Sequence, residues 1–440
     1  MTEHRKEHRT RRSLLSCAIA VVLLLLSSAN CATASDRETQ LKKLLKDHSE
    51  RLRPILVDLR TLTARALAGA LKKYNALETR KQIDAGTRYR IHEWLVEELR
   101  SMRHPALATA CKRVLAWTGK SSLPAQVVVL KTLLGPKYPA RMEDRLEILD
   151  GILLTKRNAL HRWAVHMLED SKLPEAVDML IDALQVVQAR GGVDADTTLE
   201  DRLSLALYRL LGEHAISFSA KTIRKRWQEL GRKIPRNPVY GRLRSGDTTY
   251  VVYFGDPVAA ESLFLRDVSN SMKHMTTIRK PGANEKVHEN PKIEIARNEL
   301  LRALARLRGG FRFNVIAFND VPRPWRGSTR ASLQPATIGN LEGSLNFVKG
   351  LRGEGGTNIE SALGLSVDSR DVEVVYLLSD GSPSETGSSG RVARHARMLN
   401  YLSGIRVVTL GLYNTDDDVY DERLMERLAQ ENWGWYRRLN

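Results

Sequence analysis

The chain has 440 residues, of which 42% are hydrophobic and 27% charged, and a formal net charge of +18. That length exceeds the size at which one hydrophobic core stops growing, and the composition excludes bulk disorder, so two folded domains are expected. Of the three cysteines, Cys17 and Cys31 lie near the N-terminus and only Cys111 lies deep in the chain, which excludes a disulfide framework and a thiolate zinc site there.

Residues 1–34 combine a basic start, "EHRKEHRTRRS", an apolar run, "LLSCAIAVVLLLLSSA", and small residues at Ala32 and Ala34. This is the pattern of an export signal, and the apolar run is short for a bilayer-spanning helix. Twin-arginine export through "TRRSLL", lipid attachment at Cys31, and an uncleaved anchor are variants of the same reading, and each leaves the protein in the periplasm or cell envelope, or secreted. Membrane contact is expected only if this segment stays uncleaved or becomes lipidated.

Residues 35–245 read as successive amphipathic helices, such as "RLEILDGILL", "LHRWAVHML", "PEAVDMLIDALQVV" and "LEDRLSLALYRLLG". Three similar helix ends close at Gly119, Gly135 and Gly212, and the 77-residue interval between the last two fits two helix-pair repeats. The 16-residue interval between the first two does not, so an all-α domain, either HEAT-like or an irregular bundle, is expected. Residues 35–259 hold 39 basic and 27 acidic side chains, against 25 and 22 in residues 260–440, so the basic excess belongs to the helical part. That surface would attract acidic proteins or anionic envelope polymers. Nucleic acid is not expected, because export and the lack of interleaved aromatic residues argue against it. His161 and His166, five apart, do not share a helix face and read as surface or packing residues.

After "GRKIPRNPVYGRLRSGDTT" the grammar changes, and residues 246–440 alternate short apolar β-runs with amphipathic helices. "SLFLRD", "RFNVIAFN", "VEVVYLLSD" and "IRVVTLGLY" are separated by the helical stretches "KIEIARNELLRALARL", "IGNLEGSLNFVKGL" and "RVARHARMLNYLS", with "ERLMERLAQE" last. Such alternation predicts a doubly wound α/β domain around a mostly parallel sheet. Ligands of these sheets collect at the strands' carboxyl ends, where the winding reverses. Asp267 and Asp380 stand at two such ends, and "GEGGTNIESAL" carries Thr357 into a helix between them. Two carboxylates and the hydroxyls of Ser269, Ser271 and Thr357 are hard oxygen donors, suited to Mg²⁺.

The ordered motifs "DVSNS", "GGTNI" and "LLSDGSP" resemble the von Willebrand factor type A (vWA) domain with its metal-ion-dependent adhesion site. The resemblance implies that Ser269, Ser271 and Thr357 ligate Mg²⁺, or Mn²⁺, through hydroxyls, with Asp267 and Asp380 acting directly or through waters. It implies a binding protein, not an enzyme, whose metal takes a carboxylate of a partner protein. Arg266 before Asp267, Asn270 in place of Gly, and Trp433 in place of Gly depart from the family pattern; Arg266 is expected to pair with a site carboxylate and weaken metal binding. The loop 273–291 is long and basic. The whole layout resembles a class of bacterial envelope proteins. Two alternatives remain: a scaffold that docks partners on the basic helical segment while the vWA metal site stays empty, and a phosphatase-like hydrolase, for which Ser269 stands where a second acid is required.

Overall fold

The computed structural model describes residues 64–78, 84–101, 105–117, 122–134, 142–153, 158–190, 197–215, 218–240, 251–276, 289–327, 331–367, 371–380, 389–413 and 422–439. The expected export signal, Cys17, Cys31, Gly119 and Gly135 lie outside the described residues, as does most of the basic loop. Among the described residues no helix is long and apolar enough to cross a membrane.

The chain divides into two compact units, Met1–Arg141 and Met142–Asn440. In the first, α1 (Ala64–Glu78), α2 (Ala85–Ser101), α3 (Pro105–Leu115) and α4 (Leu123–Leu134) bury Leu71, Leu95, Val114 and Leu130. Their ends are tied by side chains. The Gln126 amide donates to the carbonyls of Val114, Leu115 and Trp117 at and just beyond the end of α3, and Asn75 accepts from the Ala125 amide at 2.8 Å. The Cys111 thiol is buried in this core and pushed up to about 12 by that burial.

The second unit begins with α5 (Met142–Leu153), α6 (Asn158–Ser171), α7 (Pro174–Arg190), α8 (Thr197–Leu211) and α9 (Ala220–Glu229). The change of grammar near residue 245 therefore does not coincide with the division into compact units, which falls a hundred residues earlier, at 141/142. These five helices share a unit with the strands that follow them. Gly212, which ends α8, has φ +60°, and a Cβ there would collide with the Val239 backbone, so no other residue closes this turn without strain.

The strands form a sheet in the order β11 (Tyr436–Arg438), β10 (Arg406–Gly411), β9 (Val374–Ser379), β3 (Glu261–Asp267), β6 (Arg312–Phe318), β7 (Pro322–Pro324). The β11–β10, β10–β9, β9–β3 and β3–β6 pairs are parallel, while β7 and the short β8 (Gln334–Pro335) run antiparallel to β6. Helices α10 (Lys292–Leu304), α11 (Ile338–Gly350), α12 (Ile359–Val367), α13 (Ser389–Asn400) and α14 (Glu422–Glu431) connect them. Every residue of β9 and β10 is buried, as strands covered on both faces require. Two short hairpins complete the part: β1 (Val252–Tyr253) with β2 (Asp256–Pro257), and β4 (Met275–Thr276) with β5 (Asn290–Pro291), the latter forming the feet of the basic loop.

Charges hold the helices of this unit to the starts of the strands. Glu373, just ahead of β9, accepts from Arg162 of α6 and Arg202 of α8, with the Arg202 Nε at 2.8 Å. Glu169 of α6 accepts from Arg406 at the start of β10 and from Arg209 of α8, the latter at 2.8 Å. Burial alone would raise the Glu373 carboxyl, but Arg162 and Arg202 outweigh it and hold the group down to about 2. Glu169 is likewise lowered against its burial by Arg406, His166 and Arg209. His161 and His166 are both buried, so they are packing residues and not surface ones. His166 stacks on Trp433 with ring centres 4.5 Å apart, and Trp433 meets Trp163 edge-on. Trp433, one of the departures from the family pattern, is thus a packing anchor between α6 and the C-terminal turn.

Two consequences follow for stability. A fragment of residues 246–440 loses the partners of Glu373 and Arg406, and its melting temperature is expected on the order of 10 °C below that of a fragment of residues 142–440 in calorimetry. In the 142–440 fragment, Glu373→Gln strands two buried guanidinium groups and is expected to cost ~3 kcal/mol at neutral pH. The ionised Glu373 stabilises the fold fully above its ordinary value of 4.5 and ceases to do so as pH falls toward about 2. Denaturant titrations across that window should therefore show the difference between wild type and variant shrinking as pH drops.

Candidate metal centre

β3 and β9 are neighbours, yet from β3 the chain winds one way through β6 and from β9 the other way through β10 and β11. Their carboxyl ends open on the crevice where the direction reverses. Asp267 ends β3, and Asp380 follows the last residue of β9; both are almost fully buried. The Asp267 carboxylate accepts from the Ser269 amide at 2.8 Å on one oxygen and from the Ser379 hydroxyl at 2.6 Å on the other. The Ser269 and Ser271 hydroxyls lie 3.0 Å apart. A 3-10 turn, Asn270–Lys273, holds the second serine over the first.

The glycine-rich loop is bonded to this turn. Asn270 donates to the Gly355 carbonyl at 3.0 Å, and Glu354 donates to the Val268 carbonyl at 2.7 Å. On its far side the loop is held by the end of β6, where Gly356 donates to Asp320 at 2.8 Å and Asn358 to the Asn319 carbonyl at 2.8 Å. Gly355 has φ +74°, and a Cβ there would strike the Asp320 carboxylate, so the position requires glycine. The loop, bonded to the serine turn through Glu354 and Gly355, carries a buried Thr357. The structure thus brings the Asp267, Ser269 and Ser271 stretch, the Thr357 loop and Asp380 to one end of the sheet.

Arg266 is not the cation of this site. It is buried on the opposite side of β3 from Asp267, as strand alternation dictates, and donates to the Ile293 carbonyl at 2.5 Å. Burial lowers the guanidinium to about 10. The group that pairs with a site carboxylate is Lys292, whose Nζ lies 3.1 Å from an Asp380 oxygen with both side chains shut off from solvent. The sequence reading missed Lys292 and Ser379. One signal was present for Lys292: it opens α10, where the helix dipole disfavours a cation, so a lysine there needs a carboxylate.

Charge decides what this site accepts. The Lys292 ammonium pairs with Asp380, while Asp267 accepts from an amide and a hydroxyl. Burial, and then the neighbouring Asp380, push the Asp267 carboxyl up to about 7. The remaining donors are hydroxyl oxygens, and among the described residues no group of three or more His, Cys, Asp or Glu gathers as a metal cluster. The set fits a hard divalent cation held by few carboxylates, with Asp267, Ser269, Ser271, Thr357 and Asp380 as the residues around it. Asp267→Asn removes the repulsion and keeps an acceptor for the Ser269 amide. In chelator, this variant is expected to melt roughly 2–4 °C above wild type by calorimetry; a fall of that size would mean that the lost ionic hydrogen bonds outweigh the repulsion.

The α/β part of the chain has the von Willebrand factor A-type fold that its ordered motifs imply. No family model matches the chain. It is 27% identical to inter-alpha-trypsin inhibitor heavy chain H1 of Mesocricetus auratus over 164 residues, 34% of this chain and 17% of that protein. Against heavy chain H4 of Homo sapiens it is 28% identical over 166 residues, 34% of this chain and 16% of that protein. The matched stretches therefore span about a sixth of these relatives. Among solved structures, a von Willebrand factor type A protein from Catenulispora acidiphila superposes with a TM-score of 0.33 at 20% identity, covering 42% of this chain and 40% of that one.

Proposed function

We propose that this protein is an exported, non-enzymatic interaction module that binds an acidic group of a partner protein through Mg²⁺ held at the end of β3. The observation that carries the proposal is the pair of buried carboxylates beside the Ser269–Ser271 hydroxyl pair at the crevice where the sheet's winding reverses. Asp267 and Asp380 supply the charge, directly or through water, and Ser269, Ser271 and Thr357 supply neutral oxygens. A metal ion bound this way keeps enough positive charge to take a carboxylate from outside as a further ligand. Mn²⁺ fits the same donors. The chain's own share is to present these oxygens on rigid strand ends and to order the glycine-rich loop against them.

The basic start and apolar run of residues 1–34 support export. The reading of residues 35–245 as a HEAT-like docking array remains a separate proposal. Part of its basic excess is spent within the fold, since Arg162, Arg202 and Arg209 are engaged with buried glutamates. Docking there would weaken steeply with salt, whereas binding through the metal would fail with chelator.

Titration calorimetry of Mg²⁺ into the full-length protein tests the reading. Saturable binding is expected for wild type, with Asp267→Ala and Asp380→Ala each weakening it at least about tenfold while circular dichroism stays unchanged. Wild type that takes up no Mg²⁺ or Mn²⁺ at several millimolar would refute it.

A further inference from the structure

Lys292 is an unusual lysine. Most lysines carry the ammonium to solvent on a flexible stem, but this side chain is fully enclosed and ends 3.1 Å from an Asp380 oxygen. The backbone fixes its position from both sides. Its amide donates to the His274 carbonyl at 2.9 Å, next to the β4–β5 feet of the basic loop, and α10 starts with it directly after Pro291. An ammonium sealed against Asp380 is a fixed positive charge facing any cation that this carboxylate helps to hold.

We propose that Lys292 is a built-in counter-ion of the candidate metal site, lowering its affinity for a cation while leaving the bound ion net positive toward an anionic ligand. The inference rests on the metal-binding reading above. Two carboxylates and one ammonium sum to one negative charge, so a divalent ion brings the site to one positive charge. Without the ammonium the same ion would be neutralised outright and would have little electrostatic reason to recruit a further carboxylate. Lys292 thus exchanges strength of metal binding for strength of partner binding. It acts through Asp380 and the local field, and so is a positioning residue and not a ligand.

The test uses the full-length protein as wild type, Lys292→Met, Lys292→Gln and Lys292→Arg, with folding checked by circular dichroism. Mg²⁺ affinity is read by calorimetry and Tb³⁺ affinity by sensitised luminescence. Removing the charge is expected to tighten Mg²⁺ about tenfold and Tb³⁺ about thirtyfold, because the repulsion scales with the charge of the ion. The same variants should show weaker binding of acetate to the Tb³⁺ form, read from the luminescence lifetime as metal-bound water is displaced. Lys292→Arg, which keeps the charge, should match wild type in both. The Gln variant retains a hydrogen-bond donor without charge, so it separates the two roles and carries the test if the Met variant does not fold. Wild-type binding that stays the same or weakens in the Met and Gln variants would overturn the inference and leave the metal reading standing. Wild-type affinity in the Gln variant alone would show that the hydrogen bond matters and the charge does not, which also overturns it. If neither ion binds to wild type or to any variant, the metal reading itself fails.

Discussion

The parallel pairing of β3 with β9 is the constraint on which the rest of this α/β unit depends. Ser262–Arg266 runs alongside Val374–Leu378, so both chains start at one edge of the sheet and finish at the other. Whatever precedes β9 is therefore held at the helix-facing edge, and whatever follows β3 and β9 is held at the crevice. Glu373 and Asp380, seven residues apart in sequence, become the charged groups of opposite ends. A one-residue slip in this register would turn every side chain of one strand to the other face.

The two ends answer the problem of buried charge differently. At the strand starts the acids Glu169 and Glu373 are surrounded by Arg162, Arg202, Arg209 and Arg406, and both carboxyls are held well below their usual range. Desolvation is offset there by several ionic hydrogen bonds, which makes the contact specific and rigid. At the strand ends Asp380 pairs with Lys292, and Asp267, held by an amide and a hydroxyl, is pushed up.

Departures from the family pattern take on physical meaning in this setting. Trp433 fills the gap between α6 and the final turn through His166 and Trp163. It adopts φ +55°, unusual for a bulky residue, and the next residue, Gly434, has no room for a Cβ against the Val407 carbonyl. The strain at this turn sits where the helices and the sheet are pinned together. Arg266, by contrast, is buried among α10 and β1 neighbours and takes no part in the crevice.

The sequence by itself determined the α/β grammar of residues 246–440, the strands carrying Asp267 and Asp380, and the five oxygen-bearing side chains, because strand periodicity and strand-end motifs are local properties. It also located the helices α5 to α8, whose apolar spacing is equally local. Only the tertiary structure decided that those helices share a compact unit with the sheet, since the ion pairs responsible join residues some 170 to 240 positions apart. Only the tertiary structure could choose between two candidate cations: Arg266 adjoins Asp267 in sequence but points away from it, while Lys292 is 88 residues from Asp380 and touches it. Adjacency along a strand separates side chains onto opposite faces, and it takes a folded sheet to bring a helix start onto the end of a distant strand.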